Sequence, residues 1–232
     1  MKNRYLKNAR IPERKVRELL TLFCEDLTAT QIANISGISR ITVNAYLKLI
    51  RSQIAQYCEE QYPYSNTPRR NLMIPNITKA NGEGSVSQNC ENHFYGILRY
   101  DESIYTQWIT TVDNQWLNNW LRGKVKVETA TLDQYGLSRF EAIADFSRTK
   151  LYRVNIIPIV VKVKPKIDEI DIFWGKLKSR IVKFRGLNCN TTFLHVKESE
   201  FRYNHRNTDL FALMHSLLQR RPLHYIKQEV AF

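Results

Sequence analysis

The hydrophobic pattern changes period near the middle of the chain. Between Pro12 and Phe23 the apolar residues Val16, Leu19, Leu20 and Phe23 follow i, i+3, i+4, i+7 spacing, which predicts an amphipathic helix. Thr28 to Ile35 reads as a second, shorter helix with hydroxyl caps. Gly37 stands where a tight turn needs a residue tolerant of positive φ, and Ser39 is placed to cap a third helix. Along that helix Val43, Leu47 and Ile50 line one face, while Arg40, Thr42, Asn44, Lys48 and Arg51 project elsewhere. Three short helices joined in this way predict a helix-turn-helix.

From Phe94 the period becomes two. Phe94 to Tyr100 and Ile104 to Val112, joined by Asp101-Glu102-Ser103, predict a hairpin. Asp113 is expected to cap a helix through Trp116, Leu117, Trp120 and Leu121, ended by Gly123, with a strand from Val125 to Leu132 after it. Ser138-Arg139-Phe140-Glu141 has the spacing of a capping box for a helix to about Asp145. A strand from Leu151 to about Val163 and a long helix from about Ile167 to Phe184 complete the pattern, giving strand, strand, helix, strand, helix, strand, helix. Gln61 to Ser87 holds three prolines and two glycines among polar residues and reads as a linker, with Leu72-Met73-Ile74 a weak strand candidate. The expected division is a helix-turn-helix over 1–60, a linker or degraded opening strand over 61–92, an α/β domain over 93–210 and a helical tail over 211–232.

Charge gives this layout a chemical direction. The 232 residues carry a formal net charge of +13. Residues 1–55 hold 10 basic and 4 acidic side chains, 56–160 hold 11 of each, and 161–232 hold 14 and 7. Such an excess points to a polyanionic partner or an anionic membrane surface. At the first end, an exposed helix bearing Arg40, Thr42, Asn44, Lys48 and Arg51 suits the major groove of double-stranded DNA, where such side chains read base edges. At the other end Lys176, Lys178, Arg180, Lys183 and Arg185 form a basic run suited to holding a phosphate backbone.

Three acids lie near the second run. Asp133 is expected just after a strand, and Asp168 and Asp171 share one face at the start of the long helix. The opposite face, with Ile167, Ile170, Trp174, Leu177 and Ile181, would anchor that helix in the core. Carboxylates delivered in this way are suited to divalent metal ions, and acids at a helix start also serve as partners of its dipole.

Other chemistries find no support. The histidines lack H-x-x-x-H spacing, and no G-x-S-x-G or P-loop sequence occurs. Cys24, Cys58, Cys90 and Cys189 form no C-x-x-C pair and read as reduced thiols. The longest apolar run, Ile156 to Val161, is too short to span a bilayer, and Met1-Lys2-Asn3-Arg4-Tyr5 leads into no signal-like apolar stretch. The expected place is the cytoplasm, with the nucleoid.

Ile167-Asp168-Glu169-Ile170-Asp171-Ile172-Phe173-Trp174, then Lys183-Phe184-Arg185-Gly186, then Phe193-Leu194-His195-Val196-Lys197-Glu198-Ser199-Glu200-Phe201-Arg202-Tyr203-Asn204 resembles the C-terminal signature of a group of small bacterial insertion-sequence transposases of the DDE type. In that group the helix reads H-I-N-G-I-E-x-F-W, and the tail reads K-F-x-G followed by F-x-L-x-L-K-E-C-E-x-R-F-N. Tyr95-Gly96-Ile97-Leu98 looks like the family's F-G-L-L strand, and the stretch from Thr131-Leu132-Asp133 to Asn155 looks like the segment holding its second catalytic Asp. The resemblance implies an RNase H-like mixed sheet flanked by helices. It also implies binding to element-end DNA, a homo-oligomer that pairs two ends, and two-metal phosphoryl transfer with Mg²⁺ or Mn²⁺. Asp133 then matches the second acid, Asp171 the third, normally Glu, and Asp168 the motif's Asn. Asp is one methylene shorter than Glu, which shifts a ligand by about 1.5 Å.

The family's first acid lies on an opening strand, V-D-E-S-Y-F-G. The corresponding stretch, about Arg70 to Thr78, has no acid, and Glu83 and Glu91 are the only carboxylates between it and Phe94. A two-metal site short of one acid loses metal affinity and rate, so the resemblance implies an impaired copy. The alternative class is a non-enzymatic helix-turn-helix regulator, which binds DNA without cutting it.

Overall fold

The computed structural model describes residues 6–7, 11–64, 94–110, 112–154, 167–184 and 189–224. The elements in chain order are β1 (Leu6–Lys7), α1 (Glu13–Cys24), α2 (Ala29–Ser36), α3 (Arg40–Gln61), β2 (Phe94–Tyr100), β3 (Ser103–Trp108), α4 (Asn114–Leu121), α5 (Thr129–Gln134), β4 (Ala142–Asp145), β5 (Lys150–Arg153), α6 (Glu169–Lys183), α7 (Cys189–Asn204), α8 (Leu210–Arg220) and β6 (Leu223–His224). They fall into two compact units, one made of residues 1–57 and 205–232 and the other of residues 58–204. The expected C-terminal tail therefore belongs with the N-terminal helices. The linker expected over 61–92 and its candidate strand lie almost wholly outside the described residues.

The first unit follows the helical periodicity closely. Val16, Leu19, Leu20 and Phe23 of α1 are buried, as are Ile32 of α2 and Val43, Tyr46, Leu47, Ile50 and Ile54 of α3. At the start of α2, Thr28 and Gln31 form a reciprocal capping box, which satisfies two otherwise unpaired backbone N–H groups. Gly37 ends α2 in the left-handed region at φ 69°, where any Cβ is strained. The Ser39 hydroxyl then accepts from the Thr42 N–H at 3.2 Å and opens α3. α8 packs on α1, with Arg17 over the Phe211 ring at 5.6 Å, and β6 pairs in parallel with β1.

In the second unit β3-β2-β4-β5 form a four-stranded sheet in which every pairing is antiparallel. The α/β class expected from the sequence holds, but the sheet among the described residues is antiparallel rather than mixed. Its hairpin closes through Asp101 and Glu102, both at positive φ, the conformation that matches the twist of two-residue turns. Gly96 lets Phe140 lie against β2, since a Cβ there would meet the Phe140 ring at 2.5 Å. Phe140 packs with Phe94, Leu98, Ile109, Leu117, Leu137 and Ile143 in one core.

Two expected elements are exchanged. Val125 to Leu132 contains no strand: Val125 is exposed, it pairs with no strand among the described residues, and Thr129–Gln134 coil into the short helix α5. Ser138 to Asp145 does not make a helix, because Ala142–Asp145 is the strand β4, hydrogen-bonded between β2 and β5. All four of its residues are buried, so it lacks the alternation that marks a half-exposed strand. The strand expected from Leu151 to Val163 is described only as β5, ending at Arg153, and 155–166 lie outside the described residues.

β3 is an edge strand, and α7 covers its free side with polar side chains. Asn204 accepts from the Ile104 N–H at 2.9 Å and donates to the Ile104 carbonyl at 2.8 Å. Glu200 accepts from the N–H and hydroxyl of Thr106, and the Lys197 ammonium donates to the Thr106 carbonyl at 2.6 Å. Lys197, Glu200 and Asn204 stand at i, i+3, i+7 on one helix face, so helix periodicity is matched to the alternate outward groups of a strand. Satisfying those groups removes a template for edge-to-edge pairing.

Candidate functional site

Lys197 is fully buried between two carboxylates, Glu59 at 2.7 Å and Glu200 at 3.1 Å. Burial alone would push its pKa down, but the two acids outweigh that and hold the ammonium well above its ordinary value. Burial pushes the Glu200 carboxyl up, and Lys197 and Thr106 offset this only in part. Next to it Glu198, also buried, pairs with Arg180 of α6 and accepts from Arg202 Nε at 3.0 Å. The charged stretch of α7 is thus an internal network that ties α6, α7 and the sheet edge together.

That network redefines part of the expected phosphate-binding run. Arg180 is only 7% exposed because Ile170, Phe173, Leu177 and Arg180 form the inner stripe of α6, at i, i+3, i+7, i+10. Its guanidinium is spent on Glu198 and the face of Phe184, so it is unsuited to phosphate. Ile167, expected in the core, is 73% exposed, and Trp174 and Ile181 are half-buried. Lys176, Lys178 and Lys183 are exposed, with Lys176 over the Tyr203 ring and Lys183 over that of Phe184, and Arg185 lies outside the described residues.

The two helix acids come together as the spacing suggests, but around an arginine. Asp168 is the N-cap of α6, accepting from the Asp171 N–H at 3.0 Å, and the two form a capping box. Arg153 Nη2, from β5, lies 2.6 Å from Asp168 Oδ1 and 2.8 Å from Asp171 Oδ1. Burial alone would raise the Asp168 pKa, yet Arg153 and the Asp171 N–H hold it below the usual carboxylate range. Asp133 is exposed on α5, not at a strand end. Among the described residues no group of three or more His, Cys, Asp or Glu side chains is arranged to hold a metal ion. The pair thus holds a guanidinium and caps the start of α6.

The face at the start of α3 is built differently. Arg40, Asn44 and Lys48 are exposed, and Thr42 is half-buried with its hydroxyl 2.9 Å from that of Ser39. Arg51 departs from expectation: it is 7% exposed with its guanidinium over the Phe23 ring at 5.9 Å. Residue 51 lies one turn beyond Leu47 on the inner side of the helix, so a side chain there turns toward α1. Between Asp26 and Glu59 the chain has no acidic residue, and both α2 and nearly all of α3 fall in this interval. Burial pushes the Cys58 thiol well up. No described helix is long and apolar enough to cross a membrane.

Neither family models, curated proteins nor solved structures give a match to this chain.

Proposed function

We propose that the chain binds double-stranded DNA through a helix-turn-helix formed by α2, the Gly37 turn and α3, with the outer face of α3 directed into the major groove. The observation that carries this reading is the exposed, acid-free face holding Arg40, Asn44 and Lys48 on a capped helix. A helix of this kind fits the groove, Asn pairs with adenine edges, and Arg and Lys serve bases or phosphates. The resemblance of residues 167–204 to insertion-sequence transposases supports descent from proteins that bind element ends, an RNase H-like ancestry for the second unit and self-association on paired DNA ends. The acid-free stretch from Arg70 to Thr78, where the family's opening strand carries its first acid, supports a protein that holds DNA with impaired cutting.

The test is fluorescence anisotropy with a duplex across a salt series, beside incubation of supercoiled plasmid with Mg²⁺ or Mn²⁺. Binding is expected to weaken linearly in log affinity against log salt, and Arg40→Ala with Lys48→Ala to reduce the slope by up to about 2. The plasmid is expected to stay uncut. A slope unchanged by the paired substitution would refute the α3 interface. Metal-dependent nicking lost in Asp133→Ala would restore the catalytic reading.

A further inference from the structure

Ile41, the second residue of α3, is 84% exposed, more than any other large hydrophobic side chain among the described residues. A single exposed apolar side chain is ordinary, but this one begins an outer stripe. Ile41, Asn44 and Lys48 stand at i, i+3, i+7, so an apolar group, an amide and an ammonium follow one another along one line of the helix. Folding gives no account of Ile41. Its side chain packs on little, and isoleucine is a poorer helix former than alanine. The surroundings favour a polyanionic occupant, since Arg40 lies beside the stripe, Lys48 ends it and no acid lies between Asp26 and Glu59.

We propose that Ile41 is a specificity-determining residue that packs against the 5-methyl group of a thymine in the major groove, an inference that rests on the DNA-binding reading of α3. Thymine is the base that offers an apolar group there, and an adenine edge is the natural partner of an Asn amide. Three residues at a rise of about 1.5 Å each separate Ile41 from Asn44 by about 4.5 Å along the axis, a span of one to two stacked base pairs. The ligand class is therefore B-form DNA with adjacent A·T pairs, Ile41 on a thymine methyl and Asn44 on an adenine edge.

The experiment uses the full chain and a duplex selected by it from a randomised pool. Each thymine is replaced singly by uracil, which removes the methyl group and keeps the base pairing. One or two replacements are expected to weaken wild-type binding about fourfold, the factor that burying one methyl carries. Ile41→Ala is expected to bind the thymine duplex about fourfold more weakly and to bind thymine and uracil duplexes equally at that position. Its melting temperature should not fall, since the side chain is exposed. A wild type indifferent to every uracil replacement, or an Ile41→Ala variant that still discriminates, overturns the role of Ile41 and leaves duplex binding standing. Failure to select any duplex overturns both readings. A change of oligomeric state in Ile41→Ala, with methyl discrimination retained, assigns the residue to a protein contact instead.

Discussion

α3 and α7 both carry charged residues at close spacing, and the fold treats them in opposite ways. On α3 Arg40 and Lys48 face solvent, away from any carboxylate of their own stretch. On α7 Lys197, Glu198 and Glu200 are all but inaccessible and are joined to Glu59, Arg180, Arg202 and a sheet edge. A charge left in water keeps its hydration and remains available to a ligand. A charge taken inside must find partners within the molecule, because the cost of an unpaired buried ion runs to several kcal/mol. The α7 charges therefore serve architecture, and those on the outer face of α3 stay in water.

The sharpest way to break this contrast is Lys197→Met. It leaves Glu200 and the Thr106 carbonyl without their ammonium, and a loss of about 3–5 kcal/mol is expected in denaturant unfolding. A loss below about 1 kcal/mol would mean that the network is solvated and the contrast false. Gly96→Ala comes next, since its Cβ would meet the Phe140 ring at 2.5 Å. It should cost about 1–3 kcal/mol, with stability partly regained when Phe140→Leu is added. The Arg40→Ala, Lys48→Ala pair tests the other side. Its unfolding free energy should stay within about 0.5 kcal/mol of wild type while DNA affinity drops.

Arg153→Gln should have only a small effect, because its carboxylate partners are partly exposed and screened by water. The Asp168 pKa is lowered in the folded state, so its contribution is present above the unfolded value near 4 and is lost as pH falls through the lower folded value. The variant should therefore match wild type at the lowest pH and fall behind it by less than about 1 kcal/mol at neutral pH. An equal melting temperature for the two proteins from pH 2 to 7 would remove Arg153 from the account. Tight Mn²⁺ binding gained by the variant would show that the arginine holds the place of a metal.

Local signals were strong where one helix meets one apolar neighbour. The stripe of α1, the Thr28 cap, the Gly37 turn and the Phe94–Tyr100 strand stand where periodicity and turn chemistry put them. Arg51 and Arg180 were misleading because a basic residue at the margin of an apolar stripe reads as exposed until an aromatic ring or a carboxylate is found opposite it. β4 is hidden in the sequence because a strand buried on both faces shows no alternation, and the capping-box spelling of Ser138 to Glu141 stands before it without a helix. The closeness of Asp168 to Asp171 was legible from a spacing of three, but Arg153, fifteen residues before Asp168, carried no signal that it would enter between them.

The sequence by itself determined the caps that start α2 and α4, the Gly37 turn and the acid-free character of the α3 stretch, because these depend on residues within a few positions of one another. Only the tertiary structure decided which charges are buried, which strand is the edge that α7 covers, and that the helix acids enclose an arginine. Those outcomes depend on groups brought together from distant parts of the chain, as when Lys197 meets the carbonyl of Thr106 ninety-one residues away. There the cost of desolvation makes pairing obligatory, and only the fold chooses the partner.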